Sequence, residues 1–235
     1  METLAVIAFD VNETLLDTRA LDVVLGAPQV RSTWFALMVH YTFVAGLTGH
    51  YVGYPAAQRA ALRTLGIGRE DEVAEQMRRM PAHADVHAAL DRLTDFTVVA
   101  LTNSPLDVAT AGLEYAGIAT RFDAILSADH LHALKPQRRV YEYAAAALGV
   151  TVSQIRLVAV HGWDIAGALA AGCRAAFVDR PTANLHYSAM ALNPLGPQPD
   201  IVGTSLVDVA DKIVAFHGAV TPPLRTTPET DTQHG

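Results

Sequence analysis

The sequence predicts an α/β fold with a parallel sheet, on three observations: short apolar runs bounded by polar or glycine punctuation, helical patterns between them, and one long interval that is helical throughout. The apolar runs are Leu4 to Phe9, Thr97 to Leu101, Ala124 to Leu126, Leu157 to Val160 and Ala175 to Val178. They do not alternate with polar residues, as expected of strands covered on both faces. The helical patterns between them are Pro105 to Tyr115, Gln137 to Leu148 and Ile165 to Ala171. Ser104 is placed to cap the first of these, with Pro105 at its first position, and Gly172 is placed to end the last. Right-handed crossovers through such helices make the sheet parallel.

From about Leu16 to Leu93 no strand is predicted, and Val30, Trp34, Leu37, Tyr41 and Val44 recur with helical spacing. A segment that leaves after the first strand and returns before the second is expected to cap the carboxyl ends of the strands, where open α/β sheets hold their ligands. The expected organisation is a Rossmann-like core over residues 1–15 and 94–218, an inserted helical cap over 16–93, and a flexible C-terminal tail over 219–235. The tail is rich in Pro and Thr and lacks the apolar periodicity that would offset its ordering entropy.

Composition narrows the function classes. The 235 residues are 51% hydrophobic and 17% charged, too apolar for a disordered chain. Lys and Arg number 17 against 24 Asp and Glu, and the formal charge of −7 has the wrong sign for nucleic acid as a partner. The single cysteine, Cys173, can form neither an internal disulfide nor a multi-thiolate metal site; with no secretory leader expected, the compartment is read as cytoplasmic. No run reaches the roughly 18 to 20 apolar residues of a membrane span, so no membrane partner is expected. His83 and His87 on a predicted helix, and His130 and His132 beside a loop, are read as solvated histidines rather than metal ligands, and Cys173 as ordinary buried packing.

The chemistry gathers at the strand ends. The first run leads into Phe9-Asp10-Val11-Asn12-Glu13-Thr14-Leu15. An acid fixed at a strand end already faces the crevice and suits a nucleophile, although alone it reads more readily as a turn or cap aspartate. Three further elements follow later strands in order: Leu101-Thr102-Asn103-Ser104, Leu134-Lys135-Pro136 and His161-Gly162-Trp163-Asp164. Over residues 4 to 180 this set resembles the haloacid dehalogenase superfamily, and in detail its 2-haloacid dehalogenase group, with Lys135, Tyr141 and the Trp163-Asp164 pair on matching positions.

The resemblance implies hydrolytic dehalogenation of small 2-haloacids through an aspartyl ester, with no cofactor and no metal. Asp10 would attack the halogen-bearing carbon, Lys135 would keep Asp10 ionised, and Asp164 would orient Lys135 and water. Thr14 would orient Asp10, helped by Thr102 and Asn103, which would also bind a small-molecule carboxylate substrate. Asn12, Trp34, Tyr141 and Trp163 would shape the pocket. His161 stands where the group commonly has Asn, and reads either as a protonated ring that supplies positive charge or as a neutral ring bonded to backbone. A homodimer is also implied by the group.

Asn12 separates two branches of the superfamily. The phosphatase branch has a second Asp at this position to protonate a leaving oxygen, help worth on the order of 10² to 10⁴ in rate. An amide cannot supply that proton, and a halide needs none. The alternatives kept open are a magnesium-dependent phosphatase holding its metal on Asp10 and Asp164, and a non-catalytic ligand-binding member. Two departures from the group motivate the second: Ala159 replaces a frequent Ser, and Gly26 stands near where a cap arginine is expected. Arg31 is five residues further along, rotated by roughly 140° on a helix, and is expected to point elsewhere. Asp10, Asp164 and a substrate carboxylate would then face Lys135 alone, leaving backbone amides around Asn12, Thr102 and Asn103 and the helix start at Pro105 to answer the excess charge.

Overall fold

A computed structural model describes residues 6–180 and 191–218. In chain order the elements are β1 (Val6–Phe9), α1 (Asp22–Leu25), α2 (Pro28–Leu47), α3 (Tyr54–Thr64), α4 (Glu70–Gln76), α5 (Val86–Asp91), β2 (Thr97–Thr102), α6 (Leu106–Tyr115), β3 (Ala124–Ser127), α7 (Arg138–Leu148), β4 (Ile155–Ala159), α8 (Gly162–Ala171), β5 (Arg174–Val178), β6 (Ile201–Gly203) and α9 (Leu206–Gly218). All strand pairs are parallel and their order is β3-β2-β1-β4-β5-β6. β1 is central because its four apolar residues are buried on both faces, and it pairs with β2 on one side and β4 on the other, Phe9 opposite Ala100 and Val158. The order doubles back at β1, so the carboxyl ends of β1, β2 and β4 open on one crevice.

The differences from the sequence reading have local causes. β6 has three residues at the sheet edge, too few to register as an apolar run. β4 starts two residues early, at Ile155, because the charge of Arg156 hides a strand position: its side chain is fully buried, its NH2 group donates to Asp200 at 2.8 Å, and its guanidinium lies 5.2 Å over the Phe216 ring. α6 begins at Leu106, with Pro105 rather than Ser104 in the cap position. Ser104 is occupied instead by the site: its amide donates to Thr102 Oγ1, its Oγ accepts from Asn12 and its carbonyl from Ser127. α8 starts at Gly162, three residues earlier than expected, and ends at Gly172, whose φ of +101° is open to glycine.

The helical insertion departs and returns at one point. Leu16 and Ala82 form an antiparallel bridge, Asp17 N–H donates to Pro81 O at 2.8 Å, and His83 N–H donates to Leu15 O at 2.9 Å. The insertion therefore comes back near Ala82 rather than Leu93, and α5 packs against α9 as part of the core layer. Within the insertion α2 and α3 pack against each other around Trp34, Met38, Ala57 and Ala61, all buried. Among the described residues no helix is long and apolar enough to cross a membrane. The expected tail at 219–235, and Leu4 and Ala5 of the first apolar run, lie outside the described residues.

Candidate active site

Asp10 follows β1 directly, and its amide still donates to Val158 O, which continues the strand into the site. Its side chain is 8% exposed and takes three donors: Lys135 Nζ on Oδ1 at 2.8 Å, and Thr14 Oγ1 at 2.8 Å and His161 Nδ1 at 3.1 Å on Oδ2. Thr14 reaches back because Leu15 and Leu16 both donate to Val11 O, which folds the chain into a tight turn after the strand. Burial would raise the Asp10 carboxyl; the charge of Lys135 and the bond from His161 outweigh it and hold it well below the usual carboxylate range.

Lys135 is fully buried and all three of its donors are used, on Asp10, on Asp164 Oδ2 at 2.6 Å and on Leu101 O at 2.8 Å. Burial would lower its ammonium, and the two carboxylates raise it. Tyr141 O–H donates to Asp164 Oδ1 at 2.6 Å, which fixes that carboxylate from α7. Asp164 shifts upward, because burial outweighs the pull of Lys135.

His161 is the third charged member. Its Nδ1 meets Asp10 Oδ2 and its Nε2 meets Glu13 Oε2 at 2.9 Å. Carboxylate oxygens only accept, so a ring placed between two of them donates from both nitrogens, as an imidazolium does. Burial would push it down; the bonds and charges of Asp10 and Glu13 carry it up to about 9. The ring lies between two aromatic faces, Phe35 at 5.2 Å and 16° and Trp163 at 5.1 Å and 22°. The backbone-bonded neutral histidine considered from sequence is not what the structure holds.

Glu13 was not expected at the site. It sits at φ +63°, a left-handed conformation that costs a non-glycine residue about 1–2 kcal/mol, and that conformation accompanies a side chain aimed at His161. Thr18 O–H donates to its other oxygen at 2.8 Å. Arg31 lies 3.7 Å from Glu13 and bonds Asp22 at 2.7 Å; α1 ends at Gly26 and α2 begins at Pro28, so the two positions do not share one helix and the rotation expected between them does not apply. Gly26, where the cap arginine is missing, ends α1 at φ +90°.

Several expected pocket residues occupy other places. Trp34 is buried inside the insertion and donates to Gln58 O at 3.1 Å; its neighbour Phe35, about 100° away around α2, faces His161 instead. Thr102 makes no bond to Asp10 and secures the Ser104 amide. Asn103 bonds the backbone of Lys135 twice, donating to its carbonyl and accepting from its amide, and also donates to the buried Tyr54 hydroxyl. Asn12 donates to Ser104 Oγ at 3.2 Å. Tyr141 positions Asp164 rather than lining open space. His83, expected in solvent, lies in the turn before α5, half-buried, and donates from Nε2 to Glu13 O at 2.9 Å. A surface groove of about 690 Å³ between α6 and α7, lined by Leu106, Glu114 and Tyr143 among others, includes none of the residues around Asp10.

The donor set is poor for a divalent cation. Every carboxylate oxygen of Asp10 and Asp164 already accepts a hydrogen bond, and the Lys135 ammonium lies between the two groups. A magnesium ion needs several free oxygen ligands in near-octahedral array. Among the described residues no group of three or more His, Cys, Asp or Glu is arranged to hold a metal.

The charge on His161 has a measurable stability consequence. Its folded value of about 9 lies above the unfolded value near 6.5, so its contribution is present in full below pH 6.5 and is lost as pH rises through 9. The loss is on the order of 3 kcal/mol, and urea unfolding at pH 6 and pH 9.5 is expected to show it; His161→Asn, which carries no proton to lose, should flatten the difference.

A family model described as haloacid dehalogenase-like hydrolase matches residues 4–172. An (S)-2-haloacid dehalogenase of Pseudomonas sp. strain YL is 28% identical over 230 residues, covering 90% of this chain and 95% of that protein. The solved L-2-haloacid dehalogenase of Xanthobacter autotrophicus superposes with a TM-score of 0.80 at 24% identity, covering 90% of this chain and 99% of that one. A second structure of that enzyme, with chloropropionic acid covalently bound, has a TM-score of 0.79 at the same identity and coverage.

Proposed function

Because the chain belongs to the haloacid dehalogenase-like hydrolase family, we propose that it hydrolyses a carbon–halogen bond in small 2-halogenated compounds, the class to which the 2-haloacids of its relatives belong, through an ester on Asp10 and without a divalent ion. The observation that carries this reading is the Asp10 carboxylate itself, anionic, buried, and held by Lys135, Thr14 and His161 at the carboxyl end of β1. A nucleophile held in this way has already met its orientation cost. Asn12 supports a leaving group that needs no proton.

In the first step an Asp10 oxygen bonds to the halogen-bearing carbon and the carbon–halogen bond breaks, releasing halide. In the second, water attacks Cγ of the ester, the alcohol leaves and Asp10 is restored. The site supplies its own timing for the water step. Esterification removes the Asp10 charge, one of the two anions that keep His161 protonated. Its Nδ1 proton then leaves to solvent with the departing halide, and the freed nitrogen takes up the proton that water gives when it attacks the ester, while Glu13 balances the charge that forms. Asp164 and Tyr141 keep Lys135 beside the reacting carboxyl throughout.

The test is halide release from 2-chloro- and 2-bromo-compounds in chelator-treated buffer, with a single turnover in ¹⁸O water. The expected result is label in the Asp10 carboxylate. Label confined to product, or phosphate release from esters on addition of magnesium in place of halide release, overturns the reading.

A further inference from the structure

We propose that the Tyr54 hydroxyl binds the departing halide, as a hydrogen-bond donor that the helical insertion holds across the crevice from Asp10. This rests on the dehalogenase reading and adds the group that receives the charge leaving the carbon. Displacement by an Asp10 oxygen runs in line. The carbon–oxygen bond forms on one face of the carbon, and the carbon–halogen bond breaks on the opposite face, its electron pair passing to the halide. Both Asp10 oxygens are held from the core, by Lys135, Thr14 and His161. The insertion closes the other side: it brings Phe35 onto His161, Phe43 onto Trp163, Arg31 beside Glu13 and Tyr54 onto Asn103. The halide therefore departs toward the insertion, and a donor fixed there meets the charge as it develops.

Of these four side chains, Tyr54 has a proton to give. Phe35 and Phe43 carry no donor, and Arg31 is paired with Asp22 and Glu13 and donates to Thr18. Tyr54, at the start of α3, is buried, and its oxygen accepts from Asn103 Nδ2 at 3.1 Å. The backbone of Lys135 fixes that direction. Its amide donates to Asn103 Oδ1 at 2.7 Å and its carbonyl accepts from Asn103 Nδ2 at 3.2 Å, so the amide nitrogen, not the oxygen, faces Tyr54. The Tyr54 O–H proton is left without an acceptor among the described residues. Burial and the charges of Asp10, Asp164 and Glu13 push the phenol upward, so it keeps this proton and offers the halide a hydrogen bond rather than a proton transfer.

The experiment compares the full chain with Tyr54→Phe in single-turnover halide release from (S)-2-chloropropionate and (S)-2-bromopropionate at pH 7. The variant keeps the ring, and Asn103 keeps its bonds to Lys135. Chloride is the smaller anion and the stronger acceptor, so the chloro compound is expected to slow by about tenfold or more and the bromo compound by about threefold or less. An equal loss with both, as a packing role or a bond to the substrate carboxylate would give, overturns the inference. So does no loss with either, as expected if the unpartnered Nε1 of Trp163 serves the halide alone. Both outcomes leave the dehalogenase reading intact; halide release from neither compound by the unaltered chain, with no label in Asp10, overturns that reading as well.

Discussion

Asp10→Asn is expected to abolish halide release, by about 10⁴-fold or more, while the chain still folds. The amide is nearly the same size and keeps acceptor and donor atoms in the same place, but it is a poor nucleophile and forms no ester. Lys135 retains Asp164 and the Leu101 carbonyl, so the buried ammonium is not stranded. His161 loses one of its two anions, and its value should fall from about 9 toward the ordinary range, a change readable by NMR titration of the ring. Residual turnover above about one per cent would show that another group attacks the substrate.

Lys135→Met is expected to cost about 3–5 kcal/mol in urea unfolding at pH 8, the cost of leaving buried charge without its partner. The thioether fills most of the volume, so the loss is electrostatic rather than a cavity. Asp10 and Asp164 are then left facing each other without the ammonium that bonds both. Desolvation and mutual repulsion raise the carboxyl values of the pair in the folded state, so the variant gains stability as pH falls and the proton is taken up. The deficit relative to the unaltered chain should therefore shrink between pH 8 and pH 5. A deficit below about 1 kcal/mol, the range of exposed ion pairs, would show that the buried triad contributes no more than a surface salt bridge.

Much of the framework was readable from the residues in order. Five apolar runs became strands because buried parallel strands have no alternation to lose, and Asp10, Lys135 and Asp164 stood out because each follows a strand or its loop in the sequence of a shared crevice. Other features depended on information that no local pattern carries. The left-handed turn at Glu13 is invisible in an Asn-Glu-Thr string, and with it the second partner of His161. Trp34 and Phe35 are equally apolar neighbours on one helix; which of them faces His161 depends on how α2 is rotated against the core. The return of the chain at Ala82 carries no local signal, because α5 is recognised as core only by its packing against α9, more than a hundred residues later. Arg156 was hidden for the opposite reason, since its charge argued against a strand that Asp200 and Phe216 make tolerable.

The imidazolium of His161 also has a mechanical meaning. One of the rings that enclose it, Trp163, belongs to the core; the other, Phe35, belongs to the helical insertion. The ring is thus a rivet through two layers, and its affinity for a proton reports their spacing. Any displacement of α2 that withdraws Phe35 would admit water to one face of the charge that His161 sets against Asp10, so the packing of the helical insertion and the charge balance at Asp10 are linked.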